Sequence, residues 1–441
     1  MEINSLTFLY IFLPAALIVF NLTPQKFKKI SLMLISFGFI ALSQAENFLF
    51  LLGDVVLQFI ISKAMFKNRE NQKIKKALFV FSLALNAAVI IVSSVSNQIY
   101  GRFAPFAVMV ISFTAVGYFV DLYKNETEPI GSFSDFAVFL AFFGKLFRGP
   151  LIRAKDVKYL PNYNGFSLSE TGNGLYFFLR GLAKYVVLAL PLVQLHEKLL
   201  ASNSEEISVF GAWLDMLVFA MMIFFDLSGF CDMARGLGRC FGFDLPQNFY
   251  FPFQSPSVSD FLDRFNMTVT GFFRHYVYDV LRTDKNSRPQ FIVNTILICM
   301  LCGIWFGIEM NFIIWGLYIA AFIIIEELFL GRFLKNLPHF FARTYTFAVT
   351  MFSMVIFSNP ETGFILDSFK AMFGVNAPVT TDGINYIVSQ NVFLLAAGCF
   401  FMISAFSMLI HYLYKNKPVL YSAVSVLESA FLLVLITAEL I

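Results

Sequence analysis

Along this chain, long apolar runs alternate with short stretches that gather the basic residues. Apolar runs fall near 5–22, 30–43, 47–62, 77–97, 103–123 and 174–195, and again near 208–230, 289–306, 308–330, 339–358, 392–413 and 419–440. A helix needs about 20 apolar residues to cross the hydrocarbon core of a bilayer, so the pattern predicts an all-α chain with about 12 transmembrane helices. The second run is short enough to be tilted or re-entrant. Between the runs stand Lys26, Lys28 and Lys29, then Lys63, Lys67, Arg69, Lys73, Lys75 and Lys76. Further basic groups occupy 145–158 and 235–288, and Arg332, Lys335, Lys415 and Lys417. With alternate loops cytoplasmic, only Arg102, Lys198 and Lys370 of the 32 Lys and Arg fall outside, while Arg180 and Lys184 lie inside the sixth run. Cytoplasmic loops carry the excess of Lys and Arg, so both termini of this multi-pass chain are expected on the outer side of the plasma membrane.

Two connections are too long to be simple turns. Residues 124–173 contain FAVFLAFFGKLFRGPLIRAKDV, apolar but broken by Gly144, Gly149 and Pro150. Residues 231–288 contain SVSDFLDRFNMTVTGFFRHYVYDVL, where Phe261, Phe265, Val269, Phe272 and Phe273 recur at helical spacing. Ser257 or Ser259 can cap that helix by accepting a free N–H at its start. Both segments are expected to form amphipathic or re-entrant helices on the cytoplasmic side. They either cover the bundle or line a cavity, because non-helical backbone at membrane depth persists only beside protein or water.

Composition removes whole classes of function. Hydrophobic residues make up 58% of the chain and charged residues 14%, against about 25% charged in soluble proteins. A soluble multidomain enzyme, a disordered chain and a nucleic-acid-binding module are excluded. The opening MEIN lacks the positive n-region of a signal peptide, so the first run is expected to remain as a helix. Cys299 and Cys302 form a CxxC, but it lies inside FIVNTILICMLCGIW with no further ligands beside it. A zinc or redox role needs those ligands or an exposed dithiol, so packing is the expected role and no metal is implied.

Five stretches carry a family resemblance. They are NSLTFLYIFLPAALIVFNL at the start, KLFRGPLIRAKDV at 145–157, FFDLSGFCDMARGLGRCFGFDLPQNFYFPFQSPSVSDF at 224–261, CGIWFGIEMNFIIWGLYIA at 302–320 and FSNPETGFILDSFKAMFG at 357–374. In this order they resemble the membrane-bound O-acyltransferase family, specifically its bacterial branch of alginate O-acetylation and teichoic-acid D-alanylation proteins. The resemblance implies one membrane domain over 1–441, with helices ringed around a tunnel. It also implies a buried histidine acting as base while a hydroxyl attacks an acyl-CoA or acyl-carrier thioester. A neutral imidazole suits that task at physiological pH. The branch works with an extracytoplasmic SGNH-type acyltransferase and a cytoplasmic acyl carrier, and those partners are implied here too.

This sequence departs from the branch where the chemistry sits. GIWFG places Phe306 at the first histidine position, WGLYIA places Ile319 at the second, and FLDRFN places Asn266 at a third, with Leu262 and Phe265 replacing tryptophans. Trp305, Gly307, Asn311, Phe312, Trp315 and Gly316 are kept around the gap. The resemblance assigns Trp305, Phe306, Asn311, Trp315, Asp232, Arg264 and Asn266 to the tunnel wall. Phe and Ile have no proton to exchange. Losing a positioned base forfeits about 10²–10⁴ in rate, so acyl transfer is expected to be impaired and no bound cofactor is implied.

An active enzyme would need a substitute base. Among the histidines, His196 is expected in an outer loop, His339 at a span entrance, His411 at a span end, and His275 beside the cavity. His275 is the histidine candidate, although an ordinary interfacial role competes with it. Glu309 is the carboxylate candidate, three residues after Phe306 and on the same face if the helix continues. Asp54, Asp226, Glu326 and Glu327 are further intramembrane acids, each either functional or paired, since charge in a membrane is costly.

Overall fold

A computed structural model describes residues 1–100, 105–153, 167–281, 287–358 and 362–441. The end of the RGP stretch, 154–157, and the Asn-Pro-Glu at 359–361 lie outside the described residues. The helices are α1 (Leu13–Leu22), α2 (Lys28–Ser43), α3 (Ala45–Lys67), α4 (Gln72–Tyr100), α5 (Pro105–Tyr123), α6 (Phe133–Ala141) and α7 (Leu168–Ala183). They continue with α8 (Leu190–Glu205), α9 (Val209–Cys240), α10 (Val258–Arg264), α11 (Met267–Phe273), α12 (Asp279–Leu281) and α13 (Arg288–Ile304). The chain then forms α14 (Met310–Ile325), α15 (Gly331–Asn336), α16 (His339–Ser358), α17 (Thr362–Met372), α18 (Asp382–Met402), α19 (Ala405–Asn416) and α20 (Pro418–Leu440).

Eight helical stretches among the described residues are long and apolar enough to cross a membrane. Three shorter apolar helices, Phe8–Leu22, Ala107–Tyr123 and Arg288–Ile304, occupy three more of the expected positions. The remaining run, 30–43, is α2, whose 16 residues span about 24 Å at 1.5 Å per residue. Large side chains on α20, among them Val419, Val426, Leu427, Phe431 and Val434, are exposed. An apolar face of that size is stable against lipid rather than water. This is a multi-pass membrane protein.

Several expectations need correction in detail. The eleventh run does not hold one helix over 392–413, because α18 begins at Asp382 and ends at Met402, and Ile403 and Ser404 separate it from α19. The second long connection begins after Cys240 rather than at 231, because α9 carries on through the SGFCDMARGLGRC motif. The helix expected across Phe261–Phe273 is broken. Its first part ends at Arg264, and Asn266 takes a left-handed conformation with φ of 57° before α11 starts. Ser257 is the cap, its hydroxyl accepting from the Asp260 N–H at 3.1 Å.

The chain forms two compact units. Unit 1 comprises Met1–Leu182, Phe230–Gln247 and Leu440–Ile441. Its core is aromatic: Phe8, Phe39, Phe143 and Phe241 meet ring to ring, with Phe142 against Phe243 at 4.7 Å. The glycine-rich motif serves packing here. A Cβ on Gly236 would overlap the Phe178 backbone of α7, and Gly242 turns the chain at φ of 88°. Unit 2 comprises Ala183–Gly229 and Asn248–Glu439. At its centre α13 and α14 form a hairpin whose backbones touch: a Cβ on Gly303 would overlap the Phe312 carbonyl, and one on Gly316 the Cys299 carbonyl. Small residues permit this approach between membrane helices.

Candidate functional site

The site is built in unit 2 around the turn between α13 and α14. The helix ends at Ile304, Trp305 and Phe306 form a turn, and α14 restarts at Met310. The α10–α11 segment runs antiparallel along α13: Phe265 meets Phe306 with ring centroids 6.4 Å apart, and Thr270 Oγ1 lies 4.0 Å from Cys302 Sγ. Phe306, half-buried, thus packs against Phe265, Phe312 at 6.3 Å, Trp315 at 6.1 Å and Phe357 at 5.0 Å. Edge-to-face geometry holds at Trp315 and Phe357, the arrangement aromatic rings favour.

Polar groups around this cluster are few and mostly committed. Asn311 Nδ2 donates to the Phe357 carbonyl at 2.9 Å, and Trp315 Nε1 donates to Ser353 Oγ at 3.3 Å. Asn311 Oδ1 is buried without a partner among the described residues. A ligand hydroxyl or N–H would satisfy it there. Trp305 is buried, and Ile319, one turn beyond Trp315, is fully buried. Asn266 occupies the left-handed break and its Oδ1 accepts from Asn248 Nδ2 at 2.7 Å, while Asn248 Oδ1 accepts from the Thr268 N–H. Arg264 pairs with Asp260 at 2.8 Å and lies over the Tyr250 ring. Asp232 belongs to unit 1, on α9, beside Arg235 at 3.7 Å.

The two candidate substitute bases stand apart from that cluster. The helix does not continue past Phe306, so Glu309 does not share its face; it precedes the first residue of α14 and is exposed. His275 sits further along on a π-helical turn, Arg274–Tyr278, half-buried with its ring against Tyr276 at 4.8 Å. His339 opens α16 and is exposed, and His411 is on α19.

His196 is not in a loop. It lies in α8, buried, with Nδ1 2.7 Å from Oδ1 of buried Asp215 on α9, and its ring is 5.2 Å from Phe219. Phe219 in turn meets Phe357 at 6.2 Å. Polar neighbours in LHEKLLASNSEE made this stretch read as a connection, and the distant carboxylate was the missing signal.

Among the other acids, Glu326 is accounted for locally. Glu326, on a π-helical turn after α14, accepts the backbone N–H groups of Val258 at 2.8 Å and Ser259 at 3.2 Å. Its carboxylate covers the start of α10 as a capping side chain does. Glu327 is exposed. Cys299 and Cys302 are buried free thiols.

With this geometry in place, comparison with known proteins decides the family. The model of the membrane-bound O-acyltransferase family, MBOAT, matches residues 125–366. The chain belongs to the membrane-bound O-acyltransferase family. Among its MBOAT relatives, a probable alginate O-acetylase AlgI of Pseudomonas aeruginosa is 25% identical over 85% of this chain and 75% of its own length. A peptidoglycan O-acetyltransferase of Helicobacter pylori is 24% identical over 85% of this chain and 80% of its own length. A teichoic acid D-alanyltransferase of Bacillus subtilis is 32% identical over a shorter part, 33% of this chain and 37% of its own.

Proposed function

We propose that this MBOAT protein is a plasma-membrane component of cell-envelope polymer acylation in which the histidine-based transfer step is lost. One observation carries the reading: where the resemblance puts the first histidine, Phe306 is packed against Phe265, Phe312, Trp315 and Phe357. None of these side chains can accept a proton at neutral pH. The relatives named above act on alginate, peptidoglycan or teichoic acid, so the pathway proposed is acylation of such a polymer. The framework then acts through partners of the kind the resemblance implies, an SGNH-type acyltransferase outside and an acyl carrier inside.

The test is acyl incorporation into envelope polymer by cells that carry this chain as their sole MBOAT protein. Wild type is expected to give none. Phe306→His alone is expected to restore little, because a base misplaced by ~1 Å can lose about 10²-fold. Phe306→His with Ile319→His and Asn266→His is the fair trial of restoration. Wild-type activity abolished by Glu309→Gln or His275→Ala would overturn the proposal.

A second reading has its own support. In the His196–Asp215 pair the carboxylate fixes one imidazole nitrogen, Nδ1, as in hydrolytic triads, so that Nε2 is the nitrogen left for proton transfer. Under that reading wild type is active and His196→Gln abolishes incorporation while Glu309→Gln does not.

A further inference from the structure

Unit 1 contains a polar cluster that the acylation reading does not use. On α3, Asp54, Gln58 and Ser62 follow one another at four-residue spacing, which aligns them on one stripe. All three are buried, Gln58 and Ser62 completely. Opposite them α4 presents Ser82 and Asn86, also fully buried. Gln58 Nε2 donates to Asp54 Oδ1 at 3.2 Å and to Asn86 Oδ1 at 3.0 Å, and Asn86 Nδ2 donates to the Ser82 carbonyl at 2.8 Å. The remaining carboxylate oxygen, Asp54 Oδ2, is buried with no partner among the described residues.

Among the described residues no counter-charge pairs with this acid. Asp54 stands about 20 Å along the helix from Lys67 at 1.5 Å per residue, near the middle of a membrane-length helix. The helices packed against α3 are α2, α4, α5 and α6. Their charged groups lie at the helix ends: Lys28 and Lys29 open α2, Lys73, Lys75 and Lys76 open α4, Asp121 is near the end of α5, and Asp135 is near the start of α6. The phenol of Tyr118 on α5 reaches Ser62, the far end of the stripe, and accepts the Ile130 N–H at 3.1 Å, while Tyr123 ends α5. On α3 itself Glu46 and Lys63 are likewise terminal. Several of these groups are engaged elsewhere: Lys29 with Asp135 at 2.7 Å, Lys63 with the Gly131 carbonyl, Lys75 with Asn125. A bare carboxylate in such surroundings is costly, and the amides beside it supply oxygen atoms rather than charge.

We propose that Asp54, Gln58 and Asn86 form a membrane-buried site for one monovalent cation, H⁺ or Na⁺, seated on Asp54 Oδ2. One carboxylate balances one positive charge. A divalent ion would keep an uncompensated charge, and Ca²⁺ in addition takes about 6–8 oxygen ligands. For H⁺ the event is formation of an O–H bond on Oδ2 by a proton from water. For Na⁺ it is coordination by Oδ2 and a neighbouring carboxamide oxygen.

The test uses the full chain in proteoliposomes and dicyclohexylcarbodiimide, a lipid-soluble reagent that couples to protonated carboxyls. Peptide mass mapping of wild type is expected to place an adduct on Asp54. Its rate should fall roughly tenfold for each unit of pH above the midpoint of titration. Protection by Na⁺ but not by choline identifies Na⁺ as an occupant; absence of protection leaves H⁺. Asn86→Leu, which keeps the carboxyl, should shift the pH midpoint or remove the Na⁺ protection. No adduct on Asp54, or one whose rate neither pH nor Na⁺ moves, overturns the proposal. Asp54→Asn should remove the adduct, but because mapping is done on wild type the result stands whether or not that variant folds.

Discussion

At the scale of the residue, Phe357 does more than its position at the end of α16 suggests. Its ring touches Phe219, Phe306, Phe312 and Trp315, and its carbonyl accepts from Asn311. Phe357→Ala should cost about 3–5 kcal/mol, read as a lowered midpoint of thermal unfolding in detergent. Asn266 is constrained differently. Its left-handed backbone is one that Asn, Asp and His tolerate better than other non-glycine residues, and its side chain is bonded to Asn248. Asn266→Ala is expected to destabilise by about 1–3 kcal/mol, with Asn266→Gly milder by the same assay. Asn266→His fits the backbone, which makes the triple restoration variant a reasonable one to build. The sequence placed Trp305 and Trp315 beside Phe306, because they are near it in the chain. It singled out Phe265 only as a replaced tryptophan, and it did not reveal that residue's contact with Phe306, the role of Phe357 or the His196–Asp215 pair, because those contacts join separate segments and no local spacing encodes them.

Among elements, the spans were legible because burial in lipid needs only length and apolarity, and both are written into the local sequence. The breaks were less so. Ile403 and Ser404 sit in the apolar stretch CFFMISAFSML, and nothing in its composition distinguishes a helix end from a helix interior. Asn266 was visible as a polar residue among phenylalanines, yet periodicity carried across it. The α13–α14 hairpin shows the reverse: Gly316 reads as a family glycine and Gly303 as the first residue of GIWFG, and their role emerges only when the opposing carbonyls are seen. Gly303→Val should force the two helices apart and cost about 3 kcal/mol. Size-exclusion profiles of the solubilised variant should show loss of the monodisperse peak, while Gly363→Val, with nothing near its Cβ, should leave it unchanged.

For the whole molecule, the distribution of Lys and Arg carries the expectation of orientation. A reporter fused in 63–76 should respond as cytoplasmic and one at either terminus as external; reversal would invert the proposed sides. Chain order has a consequence of its own. The N–H groups that open α10 are held by Glu326, across 68 residues for Val258 and 67 for Ser259. The ribosome completes α10 well before it reaches that carboxylate. During synthesis the start of α10 must wait, its N–H groups served by water or lipid headgroups, until α14 has been inserted and delivers Glu326. Assembly of this part of the site is therefore tied to the membrane entry of a later helix, and nascent chains arrested before residue 326 should expose 256–264 to protease while chains arrested after α16 protect it.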